Sequence, residues 1–81
     1  MKLRAGYPVF HVDGITGIIT EARIEPGWSL TNADWVVPPA GVRLPMPVNA
    51  PQEWLAGTLC DERGPFACYV YVPAAAIDPH S

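Results

Sequence analysis

The side chains of this 81-residue chain that could do chemistry are few: two cysteines, two histidines, and three tryptophans that could recognise a partner. Cys60 and Cys68 are separated by seven residues. That interval lacks the short Cys-x-x-Cys step that gathers sulfurs around zinc or in redox dithiols. Whether they bond to each other depends on register. A hairpin centred on Gly64 sets Cys60 directly opposite Cys68, with β-carbons about 4.5–5.5 Å apart, close to the roughly 3.5–4.5 Å a disulfide needs. A turn made by Asp61-Glu62-Arg63-Gly64 alone sets Cys60 against Pro65 and Cys68 against Gly57, and the thiols never meet. Both registers stay open at this level. His11 sits in a hairpin pattern and His80 in a terminal tail, so neither is expected to complete a metal site with the thiols.

The remaining candidates are weaker. Asp61-Glu62 reads as a solvated turn pair, and Gly14-Ile15-Thr16-Gly17 fits neither phosphate-loop nor dinucleotide spacing. No Ser-His-Asp or Cys-His arrangement is supported. No catalytic, cofactor or metal residue is therefore assigned, and no cofactor is expected. Trp28, Trp35 and Trp54 are more aromatic bulk than a domain of this size readily buries. Trp28, directly after Pro26-Gly27, is the one expected at the surface.

Composition narrows the function classes. Hydrophobic residues make up 49% and charged residues 16%, which leaves little charge to cover a small particle and favours a covering partner chain. The formal charge is −3, and the cations Lys2, Arg4, Arg23, Arg43 and Arg63 are never adjacent. Nucleic-acid binding draws on clustered cations that release counterions, so nucleic acid is not the expected partner. No apolar run reaches the ~18 residues of a membrane span, and no apolar segment follows the charged start, so the expectation is a cytoplasmic protein with no membrane partner.

The elements that must position these residues are strands. Ten prolines and seven glycines, spread without repeat, leave little room for long helices. Tyr7 to Val12 and Thr16 to Glu25 alternate as strands, with Ile18, Thr20, Ala22 and Ile24 on one face. Asp13-Gly14 supplies the hairpin turn and Gly17 a bulge. Glu25-Pro26-Gly27-Trp28 begins a turn that runs to Asp34, with a strand starting at Trp35. Val42 to Val48, carrying Pro45 and Pro47 on one face, reads as an edge strand or a polyproline-like arm. Residues 50–57 fit either two helical turns, with Asn49 and Gln52 at capping-box spacing, or a strand beginning near Trp54. Thr58 to Pro73 is a hairpin about Asp61–Gly64, with Phe66, Cys68, Val70 and Val72 facing one way and Ala67, Tyr69 and Tyr71 the other. Ala74 to Ile77 reads as one helical or 3-10 turn before a frayed end. Five or six short strands with turns every eight to twelve residues indicate a single all-β domain over residues 1–81, a small barrel or sandwich.

Gly6, Val9, Asp13-Gly14, Gly17, Ile19 and Glu21 follow the order of the first hairpin in SH3-like small barrels, and also resemble the layout of the KOW motif. Val72-Pro73 and the turn through Ile77 are similar to the end of such barrels. About 30 residues carry this likeness. It departs from RNA-binding KOW domains, whose turn is basic, because the turn here offers His11, Asp13 and Glu21. It departs from peptide-binding SH3 domains in lacking their acidic loop and aromatic first strand. The small barrels of plasmid-borne dihydrofolate reductases end similarly, but Tyr69 to Pro73 lacks their pore glutamine.

The expectation is an SH3-like barrel acting as a non-enzymatic protein-binding or assembly module, as a homo-oligomer or within a larger complex such as a phage particle. Its contact surface would include Trp28, Trp35, Pro45, Pro47, Tyr69 and Tyr71. The alternatives are a KOW-like nucleic-acid-associated domain and a small oligomeric enzyme with a pore on a symmetry axis.

Overall fold

A computed structural model describes residues 1–38, 44 and 53–79 of the chain. Five antiparallel strands form one sheet: β1 (Pro8–Val12), β2 (Ile19–Arg23), β3 (Ser29–Val36), β4 (Trp54–Asp61) and β5 (Gly64–Pro73), followed by a 3-10 turn at Ala74–Ala76. The spatial order is β2-β1-β5-β4-β3. The all-β reading of the sequence holds. Among the described residues no helix is long and apolar enough to cross a membrane.

The sheet is stapled at one end by the first four residues. Lys2 bridges Ser29 and Leu3 bridges Ile77. Leu30 N–H donates to the Met1 carbonyl at 2.8 Å, Arg4 N–H to Ala76 at 2.8 Å, and Asp78 N–H to Lys2 at 2.9 Å. This segment ties the start of β3 to the stretch after the 3-10 turn, and the sheet curls around a core of Leu3, Val9, Ile24, Leu30, Leu55, Leu59, Val70, Val72 and Ala76.

Successive residues of a strand point to opposite faces, so burial of neighbours means burial of both faces. Val9 and Phe10 on β1 are both buried, as are Trp54 and Leu55 on β4. Val9 and Leu55 belong to the core. Phe10 and Trp54 meet edge to face, with ring centroids 5.7 Å apart and planes at 70°, a geometry the ring quadrupoles favour. The alternation read in the sequence thus describes only one of two buried layers.

Several expectations are revised. The β1–β2 connection is a six-residue loop, not a two-residue Asp13-Gly14 turn. Gly17 N–H donates to the Asp13 carbonyl at 2.9 Å, and Asp13 Oδ1 accepts from Ile15 and Thr16 N–H at 2.8 Å each. The left-handed residue is Gly17, φ 73°. β2 is a sheet edge whose two faces are largely exposed, with Arg23 and Glu21 paired at 3.2 Å. The Pro26-Gly27 turn forms, with Trp28 N–H donating to Glu25 at 3.2 Å and Gly27 at φ 91°. It ends at once, however: Ser29 to Asp34, read as turn, are strand β3. Trp54 to Gly57 are strand, not helix; the capping pair Asn49 and Gln52 lies outside the described residues, as do Pro45 and Pro47. The last hairpin turns at Glu62-Arg63, with Asp61 opposite Gly64 and Cys60 opposite Pro65.

Two expected outcomes follow. Gly57 has no room for a side chain: a Cβ there would lie 2.7 Å from the Thr31 carbonyl oxygen and 3.2 Å from Ala33 Cα, both backbone. Gly57→Ala should therefore lower stability by about 1–3 kcal/mol in a denaturant titration, as forced overpacking does. Hydrogen bonds from Thr16 and Ile15 N–H hold the Asp13 carboxyl below its ordinary 3.8. The stabilisation this brings is present above the unfolded-state value and is lost as pH falls through the lower folded value. Thermal unfolding followed into the acid range should show that loss for the native protein and not for Asp13→Asn.

Candidate functional site

Two of the breaks in strand register lie on either side of β4 and border one cleft in the surface. In β3 the pairing with β4 shifts between Thr31 and Asp34, and Asn32 takes a left-handed φ of 52°. In β4 and β5 it shifts between Gly57 and Leu59, and Tyr69 takes a φ of 55°. Asparagine tolerates this backbone region, whereas a tyrosine there is an outlier that costs on the order of 1 kcal/mol or more. Both residues line one cleft of about 420 Å³, with Asp34 and Val36 from β3, Ala56, Gly57 and Thr58 from β4, and Cys68 from β5.

Register explains the shape of the cleft. Phe10, Tyr71, Ala56 and Asp34 form one cross-strand row over four strands. The ring of Phe10 is buried at one end, and Tyr71 is half-buried beside it. Ala56, the smallest side chain of the row, leaves the depression that Asp34 borders. The shift at Tyr69 also overturns the expected facing of β5: Ala67 packs on the core with Val70 and Val72, while Phe66 and Cys68 are exposed.

A second cleft, of about 400 Å³, is lined by Trp35, Val36, Val37, Glu53 and Trp54. Val36 is common to both. Trp35 stands opposite buried Leu55, but among the described strands β3 lies at the edge of the sheet, and Trp35 is 64% exposed. Tyr69 is 77% exposed. Trp28, expected at the surface, is half-buried instead, because the Pro26-Gly27 turn folds it against the core and over Phe66 at 4.9 Å. Of the six contact residues read from the sequence, Trp35 and Tyr69 stand beside these clefts, Tyr71 lies in the adjoining row, and Trp28 lies elsewhere. Pro45 and Pro47 are outside the described residues.

Asn32, Asp34, Ala56 and Thr58 were not legible as site residues. The one signal was an asparagine within a run read as turn, a residue that admits the left-handed backbone a bulge needs.

The two cysteines remain separate thiols, Cys60 buried and Cys68 exposed. Cys60 Sγ lies 3.5 Å from Thr31 Oγ1. The turn selected the register in which the thiols are not opposed, so the Cys60–Cys68 bridge left open by the sequence does not form. Among the described residues no group of three or more His, Cys, Asp or Glu gathers where a metal could sit. The geometry suits binding along a strand edge: apolar floor, exposed rings, and polar groups at the rim.

In the folded protein one thiol, that of Cys68, should react with an aromatic disulfide reagent, and Cys60 only after unfolding. Cys68→Ser should abolish the fast phase.

Comparisons with family models, curated proteins and solved structures find no match for this chain.

Proposed function

We propose that this protein is a non-enzymatic protein-binding or assembly module built on a small SH3-like barrel. The observation that carries the reading is the pair of exposed rings, Trp35 and Tyr69, beside the two clefts that share Val36 on edge strand β3. Large aromatics at the surface are what interface hot spots are made of. Tyr69 is moreover held there by a backbone conformation that a tyrosine avoids, and strain of this kind concentrates at binding sites. The sparse charge of the chain is in keeping with a surface made to be covered. The SH3-like likeness is supported by two segments, the Gly6–Glu21 hairpin and Val72-Pro73 with the 3-10 turn after it, and by the return of Ile77 to pair with Leu3. The KOW-like and pore-enzyme readings gather no observation of their own.

A photo-crosslinking amino acid at position 35 or 69, with position 20 on β2 as control, tests the module in its native cell. Discrete protein adducts from 35 and 69 but not from 20 are expected, and their mass distinguishes a second copy from another chain. Adducts equally strong from position 20, or none from 35 and 69, would sink the reading.

A further inference from the structure

The partner's chemistry can be read from the two clefts, granted that this surface is the binding surface. Each cleft joins one exposed carboxylate to one exposed aromatic ring: Asp34 with Tyr69 in the first, Glu53 with Trp35 in the second. Among the described residues no cation lines either cleft. Arg23 pairs with Glu21 on the far edge of the sheet, and neither Asp34 nor Glu53 forms an ion pair with a described neighbour. Register places the two carboxylates on opposite sides of β3. Asp34 shares its face with Val36, Ala56 and Trp54, whereas the pairing of Val36 with Trp54 carries Glu53 to the position opposite Val37, on the other face. No described strand lies beyond β3. Its bulge at Asn32 interrupts the flat edge that a strand adding in simple register would need.

The geometry points to an extended segment of a partner protein that drapes over the C-terminal half of β3 and carries two Lys or Arg residues three positions apart, with an apolar residue between them. The apolar side chain packs on Val36, the residue common to both clefts. One cation reaches Asp34 and the Tyr69 face, and the other reaches Glu53 and the Trp35 face. Each cation then finds an opposite charge and a ring quadrupole together, the combination that holds guanidinium and ammonium groups at partly dry surfaces. Backbone alternation supplies the spacing: side chains three positions apart in an extended chain point to opposite sides, so the two cations reach opposite faces of β3, while an apolar residue two positions from the first cation shares the face of Asp34 and Val36.

The probe is a synthetic peptide containing the order Arg-Val-Val-Arg, titrated against the full chain by Trp fluorescence. Controls are the same peptide with glutamate for arginine, and one with serine for valine. Three protein variants accompany them: Asp34→Asn with Glu53→Gln; the charge-matched Glu25→Gln with Glu62→Gln, at the other end of the sheet; and Trp35→Ala. Saturable binding by the Arg-Val peptide is expected, weakened about tenfold or more in the Asp34/Glu53 double variant and in Trp35→Ala, unchanged in the Glu25/Glu62 variant, and lost with the glutamate peptide. The substituted side chains of Asp34 and Glu53 are exposed, and an unaltered unfolding midpoint confirms that the fold is kept. Equal weakening by both double variants, equal affinity for the serine control, or tighter binding to an oligonucleotide or to anionic vesicles would overturn the inference. Adducts from positions 35 and 69 together with any of these results would discard the basic partner while leaving the protein-binding module standing.

Discussion

The close approach of β3 to β4 at Gly57 is the constraint from which the surface of this protein follows. With the Thr31 carbonyl 2.7 Å from where a Cβ would stand, and Ala33 Cα at 3.2 Å, the two strands touch through backbone. Strands that meet this closely cannot both keep regular pleat and regular spacing. The register slips on β3 between Thr31 and Asp34, and again on the other side of β4 between Gly57 and Leu59. Asn32 and Tyr69 absorb the slips in left-handed backbone. The cleft between them is the outward expression of that contact.

A second constraint is how a short chain places a large apolar fraction. The chain uses both faces of its middle strands, with the curled core on one side and the Phe10–Trp54 contact on the other. Edge strands carry the remainder. β2 tolerates exposure through Thr20, Glu21 and Arg23, whereas β3 leaves Trp35 uncovered. The two edges of the described sheet thus differ in character, β2 polar and β3 aromatic.

The parts legible in the sequence were those fixed by local chemistry. Pro26-Gly27 made its turn because proline presets φ and glycine supplies the positive value. Glu62-Arg63 turned the last hairpin, and alanines after Pro73 made a single 3-10 turn. Trp28 and Trp35 could not be sorted, because exposure of a tryptophan depends on what lies across from it: Phe66 covers Trp28, and nothing described lies beyond β3 to cover Trp35. The facing of Phe66 and Cys68 was equally out of reach, since one left-handed residue at Tyr69 exchanges the two faces of the strand on either side of it.

By itself the sequence determined an all-β chain: proline and glycine throughout, period-two runs, and turns encoded by Asp13 to Gly17, Pro26-Gly27 and Asp61 to Gly64. Only the tertiary structure decided the strand order, the separation of Cys60 from Cys68, and the site. The reason is one of range. A turn is set by φ preferences and hydrogen bonds within a few residues. A bulge is set by backbone from a distant segment, here the meeting of Thr31 and Ala33 with Gly57, which no local pattern records.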